Sequence, residues 1–308
     1  MTRTVLITGG AGFIGSHLAD AYRARGFRVV LVDNMVHGQS TFLNSQDTFY
    51  QVDICSPEIK TIFKKEQPDI VNHHAAQIDL LKSISDPLAD IQVNVLGTVN
   101  LLQAAVQNHV KAFVFASSGG AIYSPQKTFP ADETHPLYPV SPYGVAKLSA
   151  EKYIYFYHKH YGLNAVNLRY ANVYGPRQNA RGEAGVVAIF CDRMLKGQAL
   201  VVYGDGLQTR DYVYVDDVVD ANLRVSDPAL TGYQEYNVAT GIESTVLDLV
   251  QGLTQQVSGK IETIHQAARK GEQARSVLDA SKISRALKWQ AKVGLTEGLE
   301  RTFRYFQK

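Results

Sequence analysis

Apolar positions along this chain follow two rhythms. Short runs rich in Val, Ile, Phe and Leu predict strands over residues 4–8, 28–32, 49–52, 70–73, 113–116, 166–169 and 235–238. Between them, stretches near 13–25, 57–66, 87–108 and 143–161 read as helices. Strands alternating with helices argue for a parallel sheet wrapped on both faces, so the expected class is α/β and doubly wound. After about residue 172 the rhythm changes to shorter elements around Gly175-Pro176-Arg177 and Gly204-Asp205-Gly206. Residues 1–172 are therefore expected to form the main α/β domain and 173–308 a smaller α/β lobe. A segment near 213–240 is expected to return to the main sheet.

Composition narrows the class. The chain has 308 residues, 45% hydrophobic and 19% charged, which suits a globular fold with a sizeable core. Lys plus Arg total 31 and Asp plus Glu 29, a net charge of +2 that gives no reason to expect nucleic acid or an acidic membrane as partner. Cys55 and Cys191 sit in no metal-ligand spacing, so no metal is expected. Both read as reduced thiols of a cytoplasmic protein. The sequence enters its first strand without a signal-like segment, and no apolar run approaches the ~20 residues of a membrane span.

The first strand runs into Gly9-Gly10-Ala11-Gly12-Phe13-Ile14-Gly15. Gly9, Gly12 and Gly15 allow a tight turn and close approach of a pyrophosphate, which the N–H groups opening the next helix can then bind. Asp33 ends the second strand, where a carboxylate accepts both ribose hydroxyls and repels a 2′-phosphate. The expected cofactor is therefore NAD rather than NADP. Asp53, after the third strand, is a candidate for the adenine amino group.

The reacting groups are expected further on. Ser141-Pro142 reads as a helix start, and it places Tyr143 and Lys147 on one helical face at i,i+4. A phenol of reference pKa ~10 is a poor base. A nearby ammonium and a cationic nicotinamide are expected to lower it, making Tyr143 a general base for an alcohol. Ser117 and Ser118 lie at the carboxyl end of a strand, where open α/β sheets bind ligands. Either hydroxyl could hold the reacting oxygen, and spacing does not choose between them.

With these residues in place, the chain resembles the extended short-chain dehydrogenase/reductase family, in particular its NAD-dependent nucleotide-sugar epimerases. The likeness spans nearly the full length. It includes His73-His74-Ala75-Ala76-Gln77, Asn94-Val95-Leu96-Gly97-Thr98, Ser117-Ser118-Gly119-Gly120-Ala121-Ile122-Tyr123, Leu168-Arg169-Tyr170-Ala171-Asn172-Val173-Tyr174-Gly175-Pro176-Arg177 and Arg210-Asp211-Tyr212-Val213. The resemblance implies a Rossmann-type fold, a UDP-sugar substrate, reversible inversion at C4 through a 4-keto sugar, and a homodimer. It implies further NAD contacts from Phe13, Ile14, Asn34, His37, Gly38 and Ile54, and from His74, Ala75, Ala76, Asn94, Ala116 and Tyr170. On the sugar side it implies Asn172, Val186 and Val187, Val201 and Tyr203 near the uracil, Arg210 and Arg269 on the two phosphates, and Glu272 on a ribose hydroxyl. Two guanidiniums suit a diphosphate through fork-like hydrogen bonds.

The chain also departs from the family pattern. His74 and Ser124 replace more usual residues, and Ser276 stands where some glucose-restricted members have a bulky Tyr. A small side chain there is expected to admit a 2-acetamido sugar. Gly119-Gly120 supply no acid/base pair of the kind a dehydratase needs after its catalytic hydroxyl. A UDP-glucuronate epimerase stays open, with Arg177 or Arg181 as carboxylate partners. So does a non-catalytic NAD-binding regulator.

Overall fold

The computed structural model describes residues 2–180, 185–227, 230–259, 261–268 and 273–308. The first half carries strands β1 (Thr4–Thr8), β2 (Arg28–Asp33), β3 (Thr48–Gln51), β4 (Ile70–His73), β5 (Ala112–Ser118) and β6 (Ala165–Tyr170). The second half adds β7 (Asn172–Tyr174), β8 (Leu200–Tyr203), β9 (Thr209–Tyr214), β10 (Tyr233–Val238), β11 (Glu243–Thr245) and β12 (Thr263–Gln266). A seven-stranded parallel sheet has the order β10-β6-β5-β4-β1-β2-β3. The chain reverses direction across the sheet between β1 and β4. Ligands of doubly wound folds bind at such a crevice, outside the carboxyl ends of the strands.

The central strands are apolar without interruption because helices cover both faces. All of β1 is buried, as is β2 after Arg28. The helices are α1 (Phe13–Ala24), α2 (Glu58–Glu66), α3 (Leu80–Ser85), α4 (Pro87–Ile91), α5 (Thr98–Gln107), α6 (Gly119–Ile122) and α7 (Pro142–Tyr161). They continue with α8 (Val186–Leu195), α9 (Val215–Val225), α10 (Val246–Thr254), α11 (Ser281–Leu287) and α12 (Leu295–Phe306). One core joins Ile59, Phe63, Leu101, Ala105, Ala150 and Ile154 of α2, α5 and α7 to Phe113 and Phe115 of β5. The opposite face packs Leu18 and Tyr22 of α1 and Val219 of α9 against Val5, Ile7 and Leu31. The lobe has a separate core built on Val187, Phe190, Leu200, Leu249, Leu299 and Phe303. Its sheets are β11-β9-β7 and β12-β8.

One expected element is divided. Residues 87–108 form α4, a π-helical stretch Gln92–Gly97 and α5, instead of one helix. The wider π turn, a feature frequent at functional sites, carries the Asn94 amide to Asp90 Oδ1 at 2.9 Å and to the Gln77 carbonyl at 2.9 Å. At Gly97 a Cβ would come within 2.6 Å of Ile54, so the helix passes that side chain only without one. Among the described residues, no helix is long and apolar enough to cross a membrane.

Candidate active site

A cavity of about 340 Å³ opens at the carboxyl ends of β1, β2, β4 and β5. Gly9, Gly12, Phe13, Ile14 and Gly15 form one wall. Gly9 has φ +67°, and a Cβ on Gly15 would lie 2.1 Å from the Gly9 carbonyl oxygen. Only glycine at both positions lets α1 start this close to the turn. The first N–H groups of a helix have no intrahelical partner, and those of α1 therefore suit an anion.

Asp33, Asn34, His37, Gly38, Asp53 and Ile54 line the adjoining wall. Asp33 Oδ2 accepts from the Ala11 N–H at 3.1 Å and Oδ1 from the Met35 N–H at 2.8 Å. A carboxylate has about four lone-pair sites, so this anchored group can still accept ribose hydroxyls. Asn34 Nδ2 donates to Asp53 Oδ2 at 2.8 Å, and Asp53 Oδ1 accepts from the Cys55 N–H at 2.8 Å. Partial burial pushes the Asp53 carboxyl up, but these donors outweigh it and hold the group below its ordinary range.

His74, Ala75, Ala76, Ala116, Ser117, Tyr143, Lys147 and Tyr170 form the inner end. His74 Nε2 and the Tyr170 hydroxyl are 3.0 Å apart, and Tyr170 also accepts from Asn222 Nδ2 at 2.8 Å. Burial lowers the His74 pKa to about 3, so its imidazole is neutral. Asn94 stands behind this wall. Its Oδ1 accepts from the Gln77 N–H at 3.0 Å, and the amide thereby holds the strand-end segment that lines the cavity.

Helix α7 carries the expected reacting pair, Tyr143 and Lys147. Ser141 Oγ accepts from the Gly144 N–H at 3.1 Å and Pro142 occupies the first turn, so the helix begins just before Tyr143. One turn later, Lys147 Nζ donates to the Ala116 carbonyl at 2.9 Å and lies 5.8 Å from the Tyr143 ring centroid. Burial lowers the Lys147 pKa to about 8, against the opposing charges of Asp90 and Glu151. Burial also raises the Tyr143 pKa well above the usual phenol range. The Asp90 charge adds to that rise, and a hydrogen bond with Ser118 opposes it. This corrects the expectation that Lys147 draws the phenol down: the ammonium is turned to a backbone carbonyl, and desolvation dominates.

The two serines, equivalent by spacing, part in the structure. Ser117 Oγ donates to Glu151 Oε1 at 2.6 Å in the core. Ser118 instead stands on the Tyr143 side, where its hydroxyl opposes the rise in the phenol's pKa. Glu151 in turn receives Arg169 through Nε at 3.0 Å and Nη2 at 2.7 Å, a fully buried bidentate pair. The sequence reading missed Glu151 and Asp90. A signal for Glu151 was present, since Tyr143, Lys147 and Glu151 recur every four residues along one face of α7.

The residues expected on the sugar side lie on the lobe and on β7, outside the cofactor cavity. Asn172 opens β7 beside Gly120. Gly185 lines the cavity and leads into Val186 at the start of α8. Val187 is buried in the lobe core, so its side chain packs and only its backbone can meet a ligand. Val201 and Tyr203 are half-buried on β8. Arg210 Nη1 donates to the Thr209 and Gln273 carbonyls, each at 2.8 Å. Ser276 is buried, and its Oγ accepts from Gln126 Nε2 at 3.4 Å. Arg269, Glu272 and Arg181 lie outside the described residues.

Comparison with known proteins places this geometry. The chain is 40% identical over 307 residues to a UDP-glucose 4-epimerase of Mycolicibacterium smegmatis, covering 98% of each chain. It superposes with a TM-score of 0.96 and 44% identity on a Thermotoga maritima UDP-glucose 4-epimerase solved with UDP-glucose, over 99% of each chain. A Thermus thermophilus UDP-glucose 4-epimerase complex with NAD gives a TM-score of 0.93 at 41% identity, also over 99% of each chain. Residues 5–239 match the NAD dependent epimerase/dehydratase family, and the chain belongs to that family.

Proposed function

We propose that this protein catalyses NAD-dependent, reversible C4 epimerisation of a UDP-hexose, interconverting UDP-glucose and UDP-galactose. The observation that carries this reading is the half-buried Tyr143, one helical turn from Lys147, in the cavity that also holds the glycine turn. Bound NAD would take a hydride from C4 and return it to the other face of the sugar. Tyr143 accepts the proton of the 4-hydroxyl and later gives it back. Ser118 holds that oxygen in line with the phenol. Lys147 meets the nicotinamide ribose. Asp33 would hold the adenosine ribose, and the opening turn of α1 the pyrophosphate.

Arg210 and Arg269 would anchor the diphosphate, with Asn172 beside it and Glu272 on the uridine ribose. Val201, Tyr203 and the backbone at 186–187 would frame the uracil. Binding energy then sits away from C4, where the sugar must turn over. Ser276 leaves room for a 2-acetamido group, so UDP-N-acetylglucosamine is a second expected substrate. The glucuronate reading is weaker, because Arg177 Nη2 bonds Asp20 of α1 at 2.7 Å, on the dinucleotide side. The apolar face formed by Leu88, Leu96, Tyr153 and Phe156 is exposed and fits pairing of two copies through α4 and α7. The proposed setting is the cytoplasm, where thiols such as Cys55 and Cys191 stay reduced.

Proton NMR of the purified protein with UDP-glucose, UDP-galactose, UDP-N-acetylglucosamine and UDP-glucuronate, without added NAD, tests the reading. A 4-epimer of the first two is the expected result. No change in any tube, even after NAD is added, discards it.

A further inference from the structure

The motif Gly175-Pro176-Arg177 takes no part in the chemistry above, yet it occupies the mouth of the cofactor cavity. Outside that mouth lies a second cavity of about 830 Å³. The partition between the two is built by Gly38, Gln39 and Phe42 from the loop after β2, and by Arg177, Gln178 and Asn179 from the crossover into the lobe.

Arg177 joins three segments at this partition. Its Nη2 donates to Asp20 Oδ2 of α1 at 2.7 Å, and its guanidinium carbon lies 5.4 Å from the Phe42 ring centroid. The preceding Pro176 carbonyl accepts from His17 Nε2 of α1 at 2.9 Å. Arg177 also has φ +68°, in the left-handed region that arginine rarely adopts. Such a conformation persists where the surroundings over-determine it, and functional sites are where it clusters. Arg177 Nη1 and Gln178 Oε1 are buried without a partner among the described residues.

We propose that Arg177 is a positioning residue whose clasp on Asp20 and Phe42 closes the mouth of the cofactor cavity and sets the residence time of NAD. An enzyme that reduces and reoxidises its cofactor within one turnover needs release to be slower than turnover. A link between α1, the loop after β2 and the lobe slows release without touching the reacting atoms. The proposal rests on NAD binding in this cavity, not on which sugar is turned over.

The test is a chase experiment. Holoenzyme loaded with radiolabelled NAD is diluted into unlabelled NAD, and label loss is followed. Arg177→Asn, which keeps a residue tolerant of the left-handed backbone, and Asp20→Asn should each release label about five- to tenfold faster. The double variant Asp20→Asn with Arg177→Asn should release label no faster than the faster single variant, because both changes break the same pair; independent losses of folding would add. Phe42→Ala removes the ring without altering charge and keeps the test available if an Arg177 variant fails to fold; it too should release faster. Wild-type release rates in Asp20→Asn and Phe42→Ala overturn the proposal, as does a double variant whose rate is the product of the two single effects. A wild-type protein that holds no NAD overturns the cofactor assignment itself and the clasp with it. Normal NAD binding with unchanged release overturns the clasp alone.

Discussion

The two ends of the cofactor cavity treat charge in opposite ways. At the adenosine end, Asp33 and Asp53 are carboxylates surrounded by donors: the N–H groups of Ala11, Met35 and Cys55 and the amide of Asn34. These fixed donors orient both carboxylates, and those around Asp53 hold its carboxyl below the ordinary range, which suits a ligand end that presents hydroxyls and an amino group. At the nicotinamide end, Lys147 is buried, His74 and Tyr143 are half-buried, and desolvation governs all three. Lys147 is brought down to about 8 and His74 to about 3, while Tyr143 is pushed up. Every one of these shifts favours the neutral form. The first end holds carboxylates among fixed donors, and the second suppresses charge on the groups that line it. Desolvation alone leaves Tyr143 protonated. In the function proposed above, the positive charge of bound oxidised NAD would lower its pKa.

Removing the proton-transfer group should break this comparison most sharply. Tyr143→Phe keeps the ring and most of its packing but has no hydroxyl. Turnover of UDP-galactose should fall by about a thousandfold or more, with bound NAD retained, because the adenosine end is untouched. Coupled assay of UDP-glucose formation and cofactor content by absorbance check both halves. Activity within tenfold of wild type would remove Tyr143 from its role.

The next effect is on stability. Lys147 has a folded pKa of about 8, below the ~10.4 of an unfolded lysine. Below pH 8 both states carry the proton, and the burial cost is fully present. Between those values the unfolded state binds more protons than the native state, so stability rises with pH. The stability of wild type relative to Lys147→Met should therefore grow between pH 7 and pH 10, by up to about 3 kcal/mol. Urea unfolding of both proteins at the two pH values measures it. Identical pH slopes would mean that Lys147 is not desolvated as the structure has it.

A smaller effect separates the serines. Ser118→Ala should lower kcat by about 10- to 100-fold, since it removes a hydrogen bond at the reacting oxygen. Ser117→Ala should leave kcat within a few-fold. It should instead cost about 1–3 kcal/mol of stability, because Glu151 loses a buried donor. The reverse pattern would exchange their roles.

Legibility in the sequence followed the same divide. The glycine turn, Asp33 and the Tyr143–Lys147 spacing are local patterns, in which a few neighbouring residues determine the geometry. The alternation of strands and helices was readable for a similar reason, as strands buried on both faces leave continuous apolar runs. The different surroundings of the two serines were not readable. They depend on Glu151 and Arg169, 34 and 18 residues apart from their partners, which claim Ser117 for the core. The break in the helix over 87–108 was hidden too, because it arises from contacts with Ile54 and Gln77 outside that segment. The direction of the Tyr143 shift could not be anticipated from a nearby lysine, since burial is a property of the assembled fold.

The finest test lies at the adenosine end, where the argument depends on a fixed negative charge. Asp33→Asn preserves size and can still accept one N–H, but it substitutes an NH2 donor for one carboxylate oxygen. Either the Ala11 or the Met35 N–H then faces a poorer partner, and the ribose hydroxyls lose a charged acceptor. NAD affinity should fall by about tenfold, the worth of one hydrogen bond to a charged group. NADP affinity should fall less or rise, because the charge that repels its 2′-phosphate is gone. Titration calorimetry of the cofactor-stripped protein with each dinucleotide reads both changes. Equal losses for NAD and NADP would show that Asp33 serves the turn and not the choice of cofactor, and the contrast between the two ends would then rest on Asp53 alone.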